Sequence, residues 1–372
     1  MSAKLQISNR MLGFGSGYTC WPSTLRYDAT RGVFVCVYNR GSSHVASDQG
    51  VYMRTFDPAT LLWSDERAVS LSADAPTGYK EKNGLVITSG GDYLVLVRRT
   101  SGLGSDSTSG TWISKSTDGG LTWANMGQLQ VGGSASNPYL GSHLFQTSTG
   151  RLLLHRTMET GATSIWYASP SDLVNWTSVG GDRSLLPGGA VSTNAPVEGR
   201  FFEVGGSIVC IARLRIDAIY SLNMRPCYSV SADDGLTWTP WQLCSPDATE
   251  MTNGNLDGIA NPDGTYDLYW SSRRNQPDSM SQIWCSNVTG AQLLAGDLGR
   301  PFRVFRGAVS RDFGYPGVAQ TPDRSLRMLT WYDGDATDTR VYYALMRPYT
   351  DSRISGYVAG SHARRITSAT RV

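Results

Sequence analysis

The most regularly placed acidic side chains in this chain are Asp118 and Asp233, each the third residue of an octapeptide that occurs twice. The copies are Ser116-Thr117-Asp118-Gly119-Gly120-Leu121-Thr122-Trp123 and Ser231-Ala232-Asp233-Asp234-Gly235-Leu236-Thr237-Trp238, and both read S-x-D-x-G-x-T-W. A carboxylate can act as an acid or a base, but these neighbours argue for a different task. Aspartate and serine hydrogen-bond nearby backbone amides, and glycine supplies the positive φ of a tight turn. Threonine then re-enters a strand and tryptophan offers a large apolar body to a core. Asp118 and Asp233 are therefore read as turn aspartates. The other reactive residue types are less ordered. The histidines, His44, His143, His155 and His362, show no ligand spacing, so no metal is expected, and no cofactor either. The cysteines, Cys20, Cys36, Cys210, Cys227, Cys244 and Cys285, form no C-x-x-C pair and are read as reduced thiols.

The elements that must position any site follow from a longer repeat. A polar turn followed by an apolar run occurs at Arg31-Gly32, Gly90-Gly91, Thr149-Gly150, Gly205-Gly206, Asp263-Gly264 and Asp323-Arg324. The steps between the second members are 59, 59, 56, 58 and 60 residues. Weaker relatives of the octapeptide precede Trp63 and Trp176, as Thr55 to Trp63 and Ser169 to Trp176. Short runs rich in Val, Ile, Tyr and Trp between Gly, Asp and Asn clusters are a strand signal, and no long segment has a helical apolar period. Units of this size pack radially as four-stranded propeller blades. The expectation is an all-β, six-bladed β-propeller of four-stranded antiparallel blades. The blades fall at about 18–66, 79–127, 138–179, 194–243, 252–294 and 307–349 in one domain, 1–350. The tail, 351–372, carries Arg353, Arg364, Arg365 and Arg371 and no acid. It is read as a docking tail or as the strand that closes the ring, a role for which Lys4 to Ser8 competes.

Composition narrows the partners. With a net charge of +2 and no basic stripe beside stacking aromatics, the chain offers no electrostatic case for nucleic acid. No apolar run is long enough for a membrane span, so membrane insertion is not expected. The first ten residues lack the apolar core of a signal peptide, which points to folding in the cytosol.

The paired octapeptide resembles the Asp-box of the sialidase superfamily, and the likeness covers about residues 18–350. Sialidases grip a substrate carboxylate with three arginines, since guanidinium groups match it bidentately. Their nucleophile is a tyrosine paired with a glutamate, and an aspartate serves as acid/base. By position, Tyr315, in Gly314-Tyr315-Pro316-Gly317, resembles the nucleophile. Asp48 resembles the acid/base, and Glu198 is the candidate for the activating glutamate. Arg213 and Arg225 in blade four and Arg273 in blade five resemble the arginine positions, with Asp333 ending the strand after Tyr315. The likeness breaks at Thr19-Cys20-Trp21-Pro22, where the family carries F-R-I-P. Cys20 stands in place of the first arginine and cannot supply its charge; Arg26 or Arg10 could substitute.

Three functions follow from this resemblance. One is a propeller that binds an acidic or cell-surface glycan through a degraded sialidase site. Such propellers occur in phage tails, which implies a virion setting with other virion proteins as partners. Another is an active retaining sialidase. A purely structural propeller docked in an assembly is the third.

Overall fold

In the computed structural model, each of the six turn markers joins the first two strands of an antiparallel sheet. The residues described are 11–14, 17–43, 46, 48–69, 79–100, 110–135, 143–157, 163–179, 196–215, 224–245, 256–272, 282–306, 312–334, 338–347 and 358–359. Gly32, Gly91, Gly150, Gly206, Gly264 and Arg324 have φ of 71, 83, 97, 87, 79 and 61°, all in the left-handed region. Five are glycines, for which that conformation carries no Cβ penalty, and Arg324 adopts it against its side chain.

The innermost strands are Tyr18–Asp28, Tyr79–Ile87, Phe145–Gln146, Pro196–Val204, Leu256–Ala260 and Asp312–Gln320. Each pairs with the next strand along the chain, and the strands follow in order outward to the rim. The molecule is a six-bladed β-propeller of four-stranded antiparallel blades. Its second strands are apolar runs because both faces of a blade are covered. Leu152 and Leu154 pack toward blade two while Leu153 packs toward blade four. Six such hydrophobic clusters fill the six interfaces, the last joining blade six to blade one.

Ring closure uses the N-terminal side of the chain. Met11–Phe14 pairs antiparallel with Thr339–Arg347, the third strand of blade six. Val358–Ala359 pairs with the far end of the same strand. Of the segments expected to compete for this role, Lys4 to Ser8 lies outside the described residues, as does the tail 351–372 apart from Val358–Ala359. Phe14 anchors the closure, 7% exposed, with its ring centroid 4.8 Å from that of Trp63 and 4.5 Å from that of Tyr38.

The octapeptides sit at the rim as turns. Asp118 Oδ1 accepts the amides of Leu121 and Thr122, both at 3.0 Å, and Oδ2 accepts the Thr122 hydroxyl at 2.6 Å. Asp233 repeats this with Thr237, at 2.8 Å for the amide and 2.6 Å for the hydroxyl. Each box also clasps the blade before it. A Cβ on Gly120 would collide with the Met53 sulfur, and one on Gly235 would lie 2.7 Å from Leu153 Cδ2. The weaker boxes keep the device: Asp57 accepts the Ala59 amide, and Asp172 accepts those of Val174 and Asn175.

Candidate functional site

One end of the propeller gathers the starts of the inner strands and the ends of the second strands. Four inner strands are irregular, those of blades one and two between Cys20 and Thr24 and between Lys82 and Leu85, and two more carry expected site residues. In blade four the ladder slips between Val197 and Arg200, and in blade six between Gly314 and Gly317. A bulge adds a residue, bends the strand and re-aims its side chains. The residues in these bulges are Glu198 and Tyr315, with φ of 57 and 48°. Such a conformation costs a non-glycine residue on the order of 1–3 kcal/mol and persists only where the surroundings impose it.

What the strain provides is contact. The Tyr315 hydroxyl donates to Glu198 Oε1 at 2.7 Å. Arg213, near the end of the second strand of blade four, brings Nη2 to the same oxygen at 2.5 Å. Glu198 is buried, and among the described residues its Oε2 has no hydrogen-bond partner. An arginine favours the ionised carboxylate, and an ionised carboxylate against a phenol can accept its proton. The arrangement is chemically a tyrosine oxygen nucleophile with its base in hydrogen-bond contact.

The Glu198 bulge is braced from blade three. His155 Nδ1 accepts the Gly199 amide at 3.0 Å, and a Cβ at position 199 would lie 2.6 Å from the imidazole and 2.8 Å from Cys210 Sγ. Burial pushes the His155 pKa down to about 3, so the ring is neutral and able to accept. His155 attracted no functional expectation from sequence, because its partner is 44 residues away. The available signal was the glycine after Glu198 inside a strand pattern, which marks a bulge or a close approach.

The remaining expected site residues are distributed around this core. Asp48 is exposed on the loop between Val33–Gly41 and Gly50–Asp57, at the same end of the propeller. It accepts the Ser42 amide at 3.1 Å and the Ser42 hydroxyl at 3.0 Å. Asp333 is buried at the mouth end of Arg327–Gly334, opposite Phe313. Cys20 pairs across to Asn39 on the inner strand of blade one. Arg26 turns toward Asp257 Oδ2, at 3.9 Å. Arg273 lies outside the described residues, directly after the last described residue of Thr265–Ser272. Arg225 is not brought to Glu198. It is exposed and in register with Leu214, while Arg213 is in register with Pro226. The pleat therefore puts the two arginines on opposite faces of blade four.

Comparison with known proteins agrees with this architecture. The NanB sialidase of Streptococcus pneumoniae, in the structure of a single-site mutant, superposes with a TM-score of 0.66 at 12% identity, over 92% of this chain and 70% of that one. An intramolecular trans-sialidase from Ruminococcus gnavus, in complex with oseltamivir carboxylate, gives 0.61 at 13% identity, over 87% and 93%. The phage phi92 endosialidase gives 0.68 at 9% identity, over 98% and 71%. At these identities the likeness is one of fold. No curated protein matches the chain by sequence at a significant level. The sequence pattern of the BNR repeat-like domain matches residues 32–328. That match spans well over half of the chain, which therefore belongs to the BNR repeat-like domain family as a sialidase-like six-bladed propeller.

Proposed function

We propose that this protein is a retaining glycoside hydrolase of the sialidase type, acting on a terminal acidic sugar. The observation that carries the reading is the hydrogen bond from the Tyr315 hydroxyl to Glu198 Oε1, with Arg213 on the same oxygen. Tyr315 attacks the anomeric carbon as Glu198 takes the phenolic proton, and Asp48 protonates the departing glycosidic oxygen. The resulting glycosyl–tyrosine bond is broken by water, with Asp48 as the base and the proton on Glu198 returning to Tyr315. Asp48 must exchange its bonds to Ser42 for the substrate, which an exposed loop permits. With Cys20 where the family has its first arginine, Arg213 and Arg273 would carry the grip on the substrate carboxylate.

A second reading, glycan recognition without turnover, is favoured by that same cysteine. A binding component of a virion is the setting the family resemblance suggests for it. One experiment separates the two: hydrolysis of a fluorogenic sialoside by the wild type and by Tyr315→Phe. Turnover lost in the variant supports the hydrolase. A wild type that binds sialosides without cleaving them replaces the hydrolase with the binding protein.

A further inference from the structure

Below the mouth, the strands that carry Glu198 and Tyr315 meet one carboxylate from the strand between them. Asp257, the second residue of Leu256–Ala260, has no exposed surface. Its Oδ2 accepts the Val318 amide at 3.0 Å, three residues beyond Tyr315 and just past the bulge. Its Oδ1 is ion-paired with Arg200 Nη2, two residues beyond Glu198, and accepts the Gly258 amide at 2.8 Å. Arg200 is itself buried, and its Nη1 lies 2.7 Å from His143 Nδ1. No ladder joins the inner strands of blades four and six, which belong to separate sheets with blade five between them.

We propose that Asp257 is a positioning residue that sets the distance between Tyr315 and Glu198. Burying a carboxylate and an arginine here is a poor way to gain stability, because desolvation offsets much of their attraction. What the pair supplies is direction: each carboxylate oxygen holds one of the two bulged strands at hydrogen-bond length. Two residues at positive φ, on strands that share no ladder, would otherwise relax independently and lose their contact. A misplacement of about 1 Å at a reacting pair is enough to lower a rate roughly a hundredfold. The inference rests on the hydrolase reading above for its kinetic consequence, though the geometric consequence stands without it.

The test uses the full chain with Asp257→Ala and Asp257→Asn. It reads kcat and KM on a fluorogenic sialoside, the thermal midpoint, and the crystal structures of the variants. Asp257→Ala is expected to lower kcat about a hundredfold with KM changed less than about threefold, and to separate Tyr315 from Glu198. Asp257→Asn keeps an acceptor for Val318 but no charge for Arg200, so a loss of about tenfold in kcat is expected. If both variants keep kcat within about twofold of wild type while the midpoint falls, Asp257 is merely structural and the proposal is overturned. Should Asp257→Ala fail to fold, Asp257→Asn decides. If the wild type shows no turnover, the hydrolase reading fails instead. The crystal structure of Asp257→Asn then decides: an unchanged Tyr315–Glu198 hydrogen bond rejects the positioning role.

Discussion

The rim and the mouth of this propeller use the same functional group in opposite ways. At the rim, Asp118 is half-buried and both its oxygens are occupied by donors of its own turn. The Thr122 hydroxyl and amide hold its carboxyl well below the usual range, so it stays ionised and has no spare basicity. At the mouth, Glu198 is buried, and a phenol and an arginine from elsewhere converge on one oxygen while the other has no partner among the described residues. The rim aspartate stabilises a turn through local bonds. The mouth glutamate sits in a strained backbone and is contacted by distant side chains, the arrangement the proposed base requires. Satisfaction of the carboxylate, more than its exposure, separates the rim clasp from the proposed base.

The most severe way to break this contrast is at the mouth. Tyr315→Phe should lower kcat by roughly a thousandfold or more, and Glu198→Gln by about a hundredfold or more, with little change in thermal midpoint. Asp118→Asn should leave kcat within about twofold, measured in the same assay. An Asp118 variant that lost activity with its fold intact would end the distinction. At the frame, Phe14→Ala should cost about 3 kcal/mol in denaturant unfolding, because it removes a buried ring from the closing interface without touching the site. Gly235→Ala should cost about 2 kcal/mol, combining a φ of +84° with the close Leu153 methyl.

The smallest effect per step sharpens the mouth side. His155 titrates at about 3 when folded, against an ordinary 6.5. Below 6.5 the unfolded chain binds a proton that the folded one refuses. The stability this neutral ring contributes is therefore full above that value and lost as pH falls toward 3. The loss is on the order of 1 kcal/mol per pH unit over that window. Unfolding curves from pH 6.5 downward should steepen accordingly in the wild type, and less so in His155→Gln.

Sequence carried the architecture because a propeller repeats its turns. All six markers fall in left-handed hairpins, and even Arg324, where glycine is lost, keeps the conformation. The Asp-box chemistry is equally local, complete within a few residues. The site was legible only through family resemblance, which pointed to Tyr315, Glu198 and Arg213, and the structure brings these three together. Arg225, also suggested by the resemblance, lies on the other face of blade four from Arg213. Only the register between strands decides which face of a blade an arginine occupies. The supports His155, Arg200 and Asp257 left no local pattern, since each acts on a residue dozens of positions away. Met11–Phe14, which pairs with the third strand of blade six, is too short to stand out from its surroundings in the sequence.

The central claim is that Tyr315 is the nucleophile with Glu198 as its base. Intact-mass and peptide mass spectrometry after incubation with a sialosyl fluoride, fluorinated beside the anomeric carbon to slow hydrolysis, tests it directly. The account predicts one glycosyl adduct, mapped to Tyr315 and absent in Tyr315→Phe. An adduct on another residue, or a protein that turns over sialosides yet never carries one, would contradict it.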